Sequence, residues 1–449
     1  MSKFNKTAIA IGVAQFMLTA SGTAFAQTTP ASDNGAATVV VVGQRASLEN
    51  AQKIKQNADE VVDSVVADDM GKLPDRSVTE VLQRVVGVTI DRTMTKGDPE
   101  HYSVEGSGVM VRGLSYVRSE LNGRDSFSAN GGRALNFEDV PPELMAGVDV
   151  YKNPSAEQIE GGISGLINLR TLMPFDSKGR KFAISAQDTY STLKKGKPQP
   201  SYSLLYSDRW KTRFGEFGAL LDLATSESGT RTDAFQVSPY YPRTDINPGQ
   251  TVWVPNAASF RSLEFDRKRD GAYAAFQWKP SSAVQTSLSY FKSRYKMKWD
   301  EQAIFSQASP YNLQVANGVF DPQGAMVSGV LTDPTDNGVN FNDDTRTSTR
   351  KSSTTDISWN LRWRLNSQWT VTTDLQKIRA STGSFDSTVA TGLQLPKLNM
   401  NMATTPVTLT FDDADRAFMA NPNNYYWGFT MEHQDASVAD EKAWKTDVK

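Results

Sequence analysis

Four side chains in two polar stretches offer the most chemistry in this chain: His101, Tyr102, Arg118 and Arg124. They lie within 93–107 and 115–137. Imidazole and guanidinium groups donate hydrogen bonds and a tyrosine ring stacks, which is what a polar ligand needs in a largely preformed pocket. The plain alternative is a set of solvated loop residues, since most exposed charges contribute little. No catalytic constellation stands beside them. Asp68, Asp69 and Asp75 are surface or salt-bridge carboxylates before they are an acid/base pair. A glycoside hydrolase needs two carboxylates converging to about 5–10 Å, and no pair is nominated by spacing. The chain has no cysteine and only two histidines, His101 and His433. Disulfides, thiolate metal sites, cysteine nucleophiles and a multi-histidine metal centre are therefore excluded or disfavoured. Asp333, Asp336, Asn337, Asp343 and Asp344 are spaced like no EF-hand loop. No cofactor and no metal are expected.

A second kind of chemistry belongs to the backbone. Thr38, Val39, Val40, Val41 and Val42 form a β-prone run after a small, polar stretch at 27–37. Such a run can add a strand to another protein's sheet, or it can be the ordinary first strand of the next domain. The N-terminus carries Lys3 and Lys6, a mostly apolar 8–20 and Ala24-Phe25-Ala26 before Gln27. That order of charge, apolar core and small-residue cleavage pattern reads as a signal peptide over 1–26, so the chain leaves the cytoplasm. A formal net charge of -2 gives nucleic acid no electrostatic support. Hydrophobic content is 39 %, and no apolar run is long enough for a spanning helix. Spanning β-strands alternate and would escape that criterion.

The elements that must position these groups change character near Pro174. Before it, 46–58 reads as a polar linker and 27–58 as a flexible segment. Val61 to Val66 follows as an apolar stretch. Ser77 is a plausible N-cap with Glu80 as its capping-box partner, ahead of a helix presenting Val78, Val81, Leu82 and Val85. Short strands follow at Val88-Thr89-Ile90 and from Val109 to Leu114, where Gly113 suits a bulge or a close backbone approach. Asn122-Gly123 is a hairpin signal. The stretch 140–174 reads as a short helix from Pro142 to Met145, a strand from Gly147 to Tyr151, a glycine turn and a strand from Leu166 to Thr171. After Pro174 the period is two. Ile357, Trp359, Leu361 and Trp363 alternate with polar residues, as do Trp369, Val371, Thr373 and Leu375. Trp278, Trp363 and Trp369 stand beside short turns, where an interfacial girdle belongs. Long connections are expected from Ser226 to Asp270, from Tyr295 to Thr354 and from Ala380 onward. The aromatics among them (Tyr240, Tyr241, Trp253, Phe260, Tyr311, Tyr425, Tyr426, Trp427) suit sugar rings or loop packing equally.

One ordered set of motifs is specific. It contains Asp69-Met70-Gly71-Lys72-Leu73-Pro74, then Val81-Leu82-Gln83-Arg84-Val85-Val86-Gly87-Val88, then Val111-Arg112-Gly113-Leu114 and Leu121-Asn122-Gly123-Arg124. Val148-Asp149-Val150-Tyr151-Lys152 leads through Glu160-Gly161-Gly162 to Asn168-Leu169-Arg170-Thr171. Together these resemble the plug domain of TonB-dependent outer-membrane receptors, most closely the large group in Caulobacter- and Xanthomonas-like bacteria. Arg112, Gly113, Asn122, Gly123, Arg124, Gly161 and Gly162 are its structural signature here. The resemblance covers 38–175 by motif and the remainder by architecture.

The resemblance implies an α+β plug domain over 59–175 followed by an antiparallel transmembrane β-barrel from 176 to 449. Full-length barrels of this kind have about 22 strands, and seven to nine are readable here, so the sequence reads as the N-terminal part of such a protein. It also implies that Thr38–Val42 is a TonB-box-like segment binding a periplasmic energy transducer. The plug loops holding His101, Tyr102, Arg118 and Arg124 would face outward and help bind substrate, unless the arginines pair with barrel carboxylates. The implied function is energised import across the Gram-negative outer membrane, with an oligosaccharide favoured and a ferric siderophore as runner-up. Expected partners are a TonB-like transducer, outer-membrane lipid and the substrate, with no nucleic acid. Rival classes are a secreted β-rich carbohydrate-active enzyme and a passive porin or adhesin, which would lack the plug.

Overall fold

The computed structural model describes residues 42–67, 75, 77–93, 101–129, 134–307 and 309–449. The signal-peptide segment and Thr38 to Val41 lie outside the described residues. Val42 is the first residue of helix α1 (Val42–Asn57). The linker expected at 46–58 is therefore helical over most of its length. Ser47, Ala51, Ile54 and Ala58 are its half-buried positions, spaced as one helical face. Ile54 is the only large apolar residue among them, too weak a stripe to stand out in the sequence.

The plug is a five-stranded sheet with short helices. Strands β1 (Val62–Val66), β4 (Val117–Leu121), β5 (Arg124–Asp125), β6 (Gly147–Tyr151) and β7 (Gly165–Arg170) run in the order β1-β6-β7-β4-β5. A separate ribbon pairs β2 (Val88–Asp91) with β3 (Gly108–Val111). Helix α2 (Val78–Leu82) begins at Ser77, whose hydroxyl accepts from Glu80 N at 3.4 Å. The Glu80 carboxylate turns to Arg92 rather than completing a capping box. The sequence places β6 and β7 within one residue of their observed bounds, and they pair antiparallel in register. Every residue of β6 except Tyr151 is buried. In the sequence they are short, largely apolar segments, interrupted only by Asp149 and Asn168, on either side of a glycine turn.

Two turns in the plug have the same build. Asn122 and Gly123 have φ of 53° and 75°, and Arg112 and Gly113 have 54° and 77°. Both pairs close tight hairpins whose twist needs two left-handed residues. The role expected of Gly113 is corrected accordingly. A Cβ there would meet nothing within 4 Å, so the glycine answers to its backbone angle and not to a close neighbour.

Beyond Pro174 eight strands form one antiparallel sheet. They are β8 (Lys181–Thr189), β9 (Gln199–Thr212), β10 (Gly215–Val237), β13 (Ala257–Lys279), β14 (Val284–Gln307), β17 (Val339–Arg364), β18 (Thr370–Leu395) and β21 (Tyr425–Val448). Their order is β21-β18-β17-β14-β13-β10-β9-β8. The sheet is part of a barrel wall, with no pairing between β8 and β21 among the described residues. Most of the stretches expected as long loops are corrected to strand. β17 and β18 each run 26 residues, against the 9–11 that cross a bilayer. Past the crossing segment the outward face turns largely polar as well, which hides a strand from any search for alternating hydrophobicity. The hairpin of β11 (Tyr240–Asn247) and β12 (Gln250–Pro255) lies on the long-loop side of this sheet. With it is the small sheet of β15 (Gln314–Phe320), β16 (Met326–Thr332), β19 (Leu398–Asn401) and β20 (Thr408–Thr410). Val254, Leu313, Met326, Leu331, Leu395 and Leu398 form their shared core.

The wall has two unlike faces. Phe182, Leu221, Leu223, Phe276, Leu288, Ile357 and Leu375 are exposed on the outside. Near the short turns Phe217 stacks between Trp210 and Trp278 at 6.2 and 6.0 Å. The inside is lined by buried Ser203, Ser207, Ser293, Ser352 and Gln376 together with apolar Leu205, Leu220, Tyr273 and Phe291. Those four apolar residues share one continuous core with plug residues Val81, Leu82, Leu144, Val148 and Ile167.

Candidate functional site

The plug is seated on the inner face of the wall at two levels. The level nearer the long loops involves 101–105 and the turn Phe137–Asp139. Glu105 is buried between Arg267 and Arg269 of β13, pairing with Arg269 and receiving Ser228 Oγ at 2.8 Å. Arg269 also donates to Glu138 O at 2.6 Å, and Arg267 to Ser103 Oγ at 2.6 Å. Arg350 of β17 reaches Glu138 at 2.6 Å and Asp139 at 2.9 Å. Ser352 donates to Asp139 at 2.6 Å. The plug thus supplies the carboxylates and the wall the arginines.

The two glutamates respond oppositely to this surrounding. Burial pushes the Glu105 carboxyl up, but Arg269 and Arg267 outweigh it and hold the group at about 2. Burial also pushes Glu138 up, and there Arg350 and, more weakly, Arg267 are opposed by neighbouring Asp139, so the net shift is upward.

His101 lies above this level. Its Nε2 is 3.0 Å from Glu301 Oε2, and Arg261 holds the other oxygen of the same carboxylate. The ring meets Trp299 edge-on at 5.9 Å, and Arg346 stacks over that indole at 4.8 Å. His101, Arg261, Glu301 and Arg346, with Phe305, Asp344 and Phe429, border a cavity of about 340 Å³. The arrangement can hold a polar ligand of modest size through charged donors, a carboxylate and aromatic faces. It presents no nucleophile aligned with a base.

The other candidates fall elsewhere. Tyr102 is 46 % exposed, and its backbone bridges to Thr93. Arg118 pairs with Asp125 inside the plug. Arg124 pairs with Asp374 of β18 at 3.1 Å, close to the short turn before Thr370. It is therefore at the opposite end of the wall from His101, and Gln376 donates to Asp125 O at 2.9 Å beside it. The four candidates are not brought together. The expected pairing of a plug arginine with a barrel carboxylate is what Arg124 does. Among the loop aromatics, Tyr240 packs in the small core and donates to Met326 O at 3.3 Å, while Tyr241 meets Tyr311 edge-on.

Sequence reasoning missed Arg261, Arg267, Arg269, Arg346 and Arg350, because 226–270 and 295–354 were read as loops. A signal was present. Arg267 and Arg269 continue the parity of Leu263 and Phe265, both fully buried, so they had to face inward once the stretch was a strand.

A plug sheet carrying its own core and seated by buried ion pairs inside an outwardly apolar wall is the architecture the motifs implied. The profile of the TonB-dependent receptor plug domain matches residues 54–166. Residues 54–166 are a TonB-dependent receptor plug domain, and part of a barrel wall follows them. A comparison with curated proteins finds no match. Among solved structures, the chain is similar to the unliganded ferric citrate transporter FecA, at 11 % identity over 88 % of this chain and 75 % of that one, with a TM-score of 0.33. It is similar to BauA, the ferric preacinetobactin receptor of Acinetobacter baumannii, at 12 % identity over 87 % and 60 %, with a TM-score of 0.34. It is also similar to the copper transporter OprC, at 11 % identity over 87 % and 60 %, with a TM-score of 0.35. The chain thus spans 60 % of the length of the latter two. At these scores the structural matches carry no argument of their own, and the family rests on the plug.

Proposed function

We propose that this receptor imports a bulky polar substrate across the outer membrane, energised through residues 38–42 by a TonB-like periplasmic protein. The supporting observation is the seat of the plug. Glu105, Glu138 and Asp139 bind the wall from within, while the outer face carries the apolar side chains a bilayer requires. A plug held by buried ion pairs does not open for free diffusion, since separating such pairs strands charges at a cost of several kcal/mol. Work from another protein is the consistent source.

The cavity at His101 is the substrate site of this reading. Its carboxylates, arginines and aromatic faces favour an oligosaccharide, and a ferric siderophore is the second candidate because Arg261 and Arg346 offer cationic donors. Labelled-substrate uptake by cells tests the mechanism. Removing residues 38–42 is expected to abolish uptake and leave surface binding intact; unchanged uptake sinks the coupling. Growth of a deletion strain on single oligosaccharides, set against growth under iron limitation, decides between the two substrate classes.

A further inference from the structure

The plug has one seat carboxylate that the wall does not answer with an arginine. Glu105, Glu138 and Asp139 each meet one; Glu143 forms no ion pair among the described residues. It belongs to the turn Pro142–Leu144, which packs against β10 and β13. Gly271 of β13 lies beneath that turn and directly opposite Ala224 of β10. Two residues along β10 from Ala224 is Asp222. It is 1 % exposed and shares the parity of Leu220 and Ala224, which join the core common to plug and wall. Asp222 therefore faces the plug. Its Oδ1 and the Oε2 of Glu143 are both buried without a hydrogen-bond partner. The charge that bears on Asp222 is the Glu143 carboxylate.

The surrounding elements supply no counter-ion. Arg269 of β13 reaches Glu143 through its field, while its hydrogen bonds go to Glu105 and to Glu138 O. Tyr273, directly opposite Asp222, gives its hydroxyl to Met173 Sδ at 3.0 Å. On the other side β9 presents Ser203, Leu205 and Ser207, which carry no charge. Glu138 and Asp139, upstream of the turn, are held by Arg350. Two carboxylates buried at one interface without a counter-ion do not both ionise, since each charge loses its water and repels the other. Burial pushes the Glu143 carboxyl up, against weaker opposite pulls from its own backbone and from Arg269.

We propose that Glu143 and Asp222 form a proton-holding clasp: while the plug is seated at least one of the two carboxyls keeps its proton, and lifting the plug releases that proton to water. The O–H bond breaks as water enters, both carboxylates ionise, and their like charges oppose reseating until a proton returns. The clasp goes beyond the import reading and depends neither on the cargo nor on the transducer. Because the seated form holds one proton more than the lifted form, acid tightens the seat and alkali loosens it. The seating equilibrium shifts by about tenfold per pH unit between the ordinary carboxylate range and the raised one. Glu105 works in the opposite sense, and only below its ordinary 4.5.

The test uses the full chain in detergent, in a Glu138→Gln background that removes another plug carboxyl shifted the same way. Protease cleavage within 134–146 is compared between this parent, Glu143→Gln and Asp222→Asn at the same pH, so that the protease's own pH response cancels. The parent-to-variant ratio is expected to rise at least about tenfold from about pH 5 to about pH 8 for either variant. Asp222→Asn keeps the shape of the side chain and is expected to be cleaved no faster than the parent at the alkaline end. Infrared spectra at neutral pH give a readout that packing alone does not move. The difference between the parent and Glu143→Gln/Asp222→Asn is expected to contain the C=O band of a protonated carboxyl. A ratio independent of pH, faster cleavage of Asp222→Asn at every pH, or a difference spectrum without that band would overturn the proposal. Calcium that slows cleavage of the parent but not of Asp222→Asn would put a metal ion in the proton's place and overturn it too.

Discussion

Glu105 and Glu138 are buried glutamates facing arginines, and their surroundings balance in opposite directions. Glu105 is held at about 2 against an ordinary 4.5. A carboxyl lowered on folding stabilises the fold above its unfolded value, and that stability drains as pH falls from about 4.5 to about 2. The shift corresponds to about 3 kcal/mol. Glu138 is shifted up, so its ionised form weakens the fold at neutral pH and acid relieves it. Glu105→Gln, which leaves two arginines without their partner, is expected to cost about 3–5 kcal/mol. Glu138→Gln is expected to cost under about 1 kcal/mol, since Arg350 keeps Asp139. Thermal unfolding of the two variants at pH 7 checks the order; equal losses would refute the assignment. None of this was legible beforehand. The partner arginines lie more than a hundred positions away, and parity with Leu263 and Phe265 tells only that Arg267 and Arg269 face inward, not which plug carboxylate they meet.

Among the elements, the seat of the turn Pro142–Leu144 on β13 rests on one small residue. A Cβ at Gly271 would stand 2.6 Å from Leu144 Cδ1 and 2.7 Å from Pro141 Cγ. Gly271→Val is expected to lift the plug from the wall at a cost of about 1–3 kcal/mol, read as faster protease cleavage within 134–146. Protection equal to the wild type would mean that the wall yields instead. The sequence marked Gly271 as the start of an alternating strand and 140–174 as an organised unit. That the two meet is tertiary information. Strands β6 and β7 were legible because both faces are covered, which leaves short, largely apolar segments, interrupted only by Asp149 and Asn168, on either side of a glycine turn. Helix α1 was not, because a single isoleucine marks its inner face. The outer halves of β10, β13, β14, β17 and β18 were not either, because their outward face is largely polar and their inner face mixes apolar with charged residues, which blurs the alternation.

For the whole molecule, the contrast between the two faces of the wall predicts which indoles meet lipid. Trp278 and Trp363 are 36 % and 48 % exposed near the short turns, whereas Trp299 faces inward at 3 %. In brominated lipid, fluorescence of a variant retaining only Trp278 is expected to be quenched at least twofold, and that of a variant retaining only Trp299 to be unaffected. The reverse pattern would turn the wall inside out. By itself the sequence determined that the chain holds a plug followed by alternating strands. Local periodicity, turn glycines and motif order are written residue by residue, and each acts over a few positions. Only the tertiary structure decided that His101 and Arg124 lie at opposite ends of the wall and that plug carboxylates meet barrel arginines. Strand register sets both of these. Register comes from packing between segments far apart in the chain, and no local pattern records it.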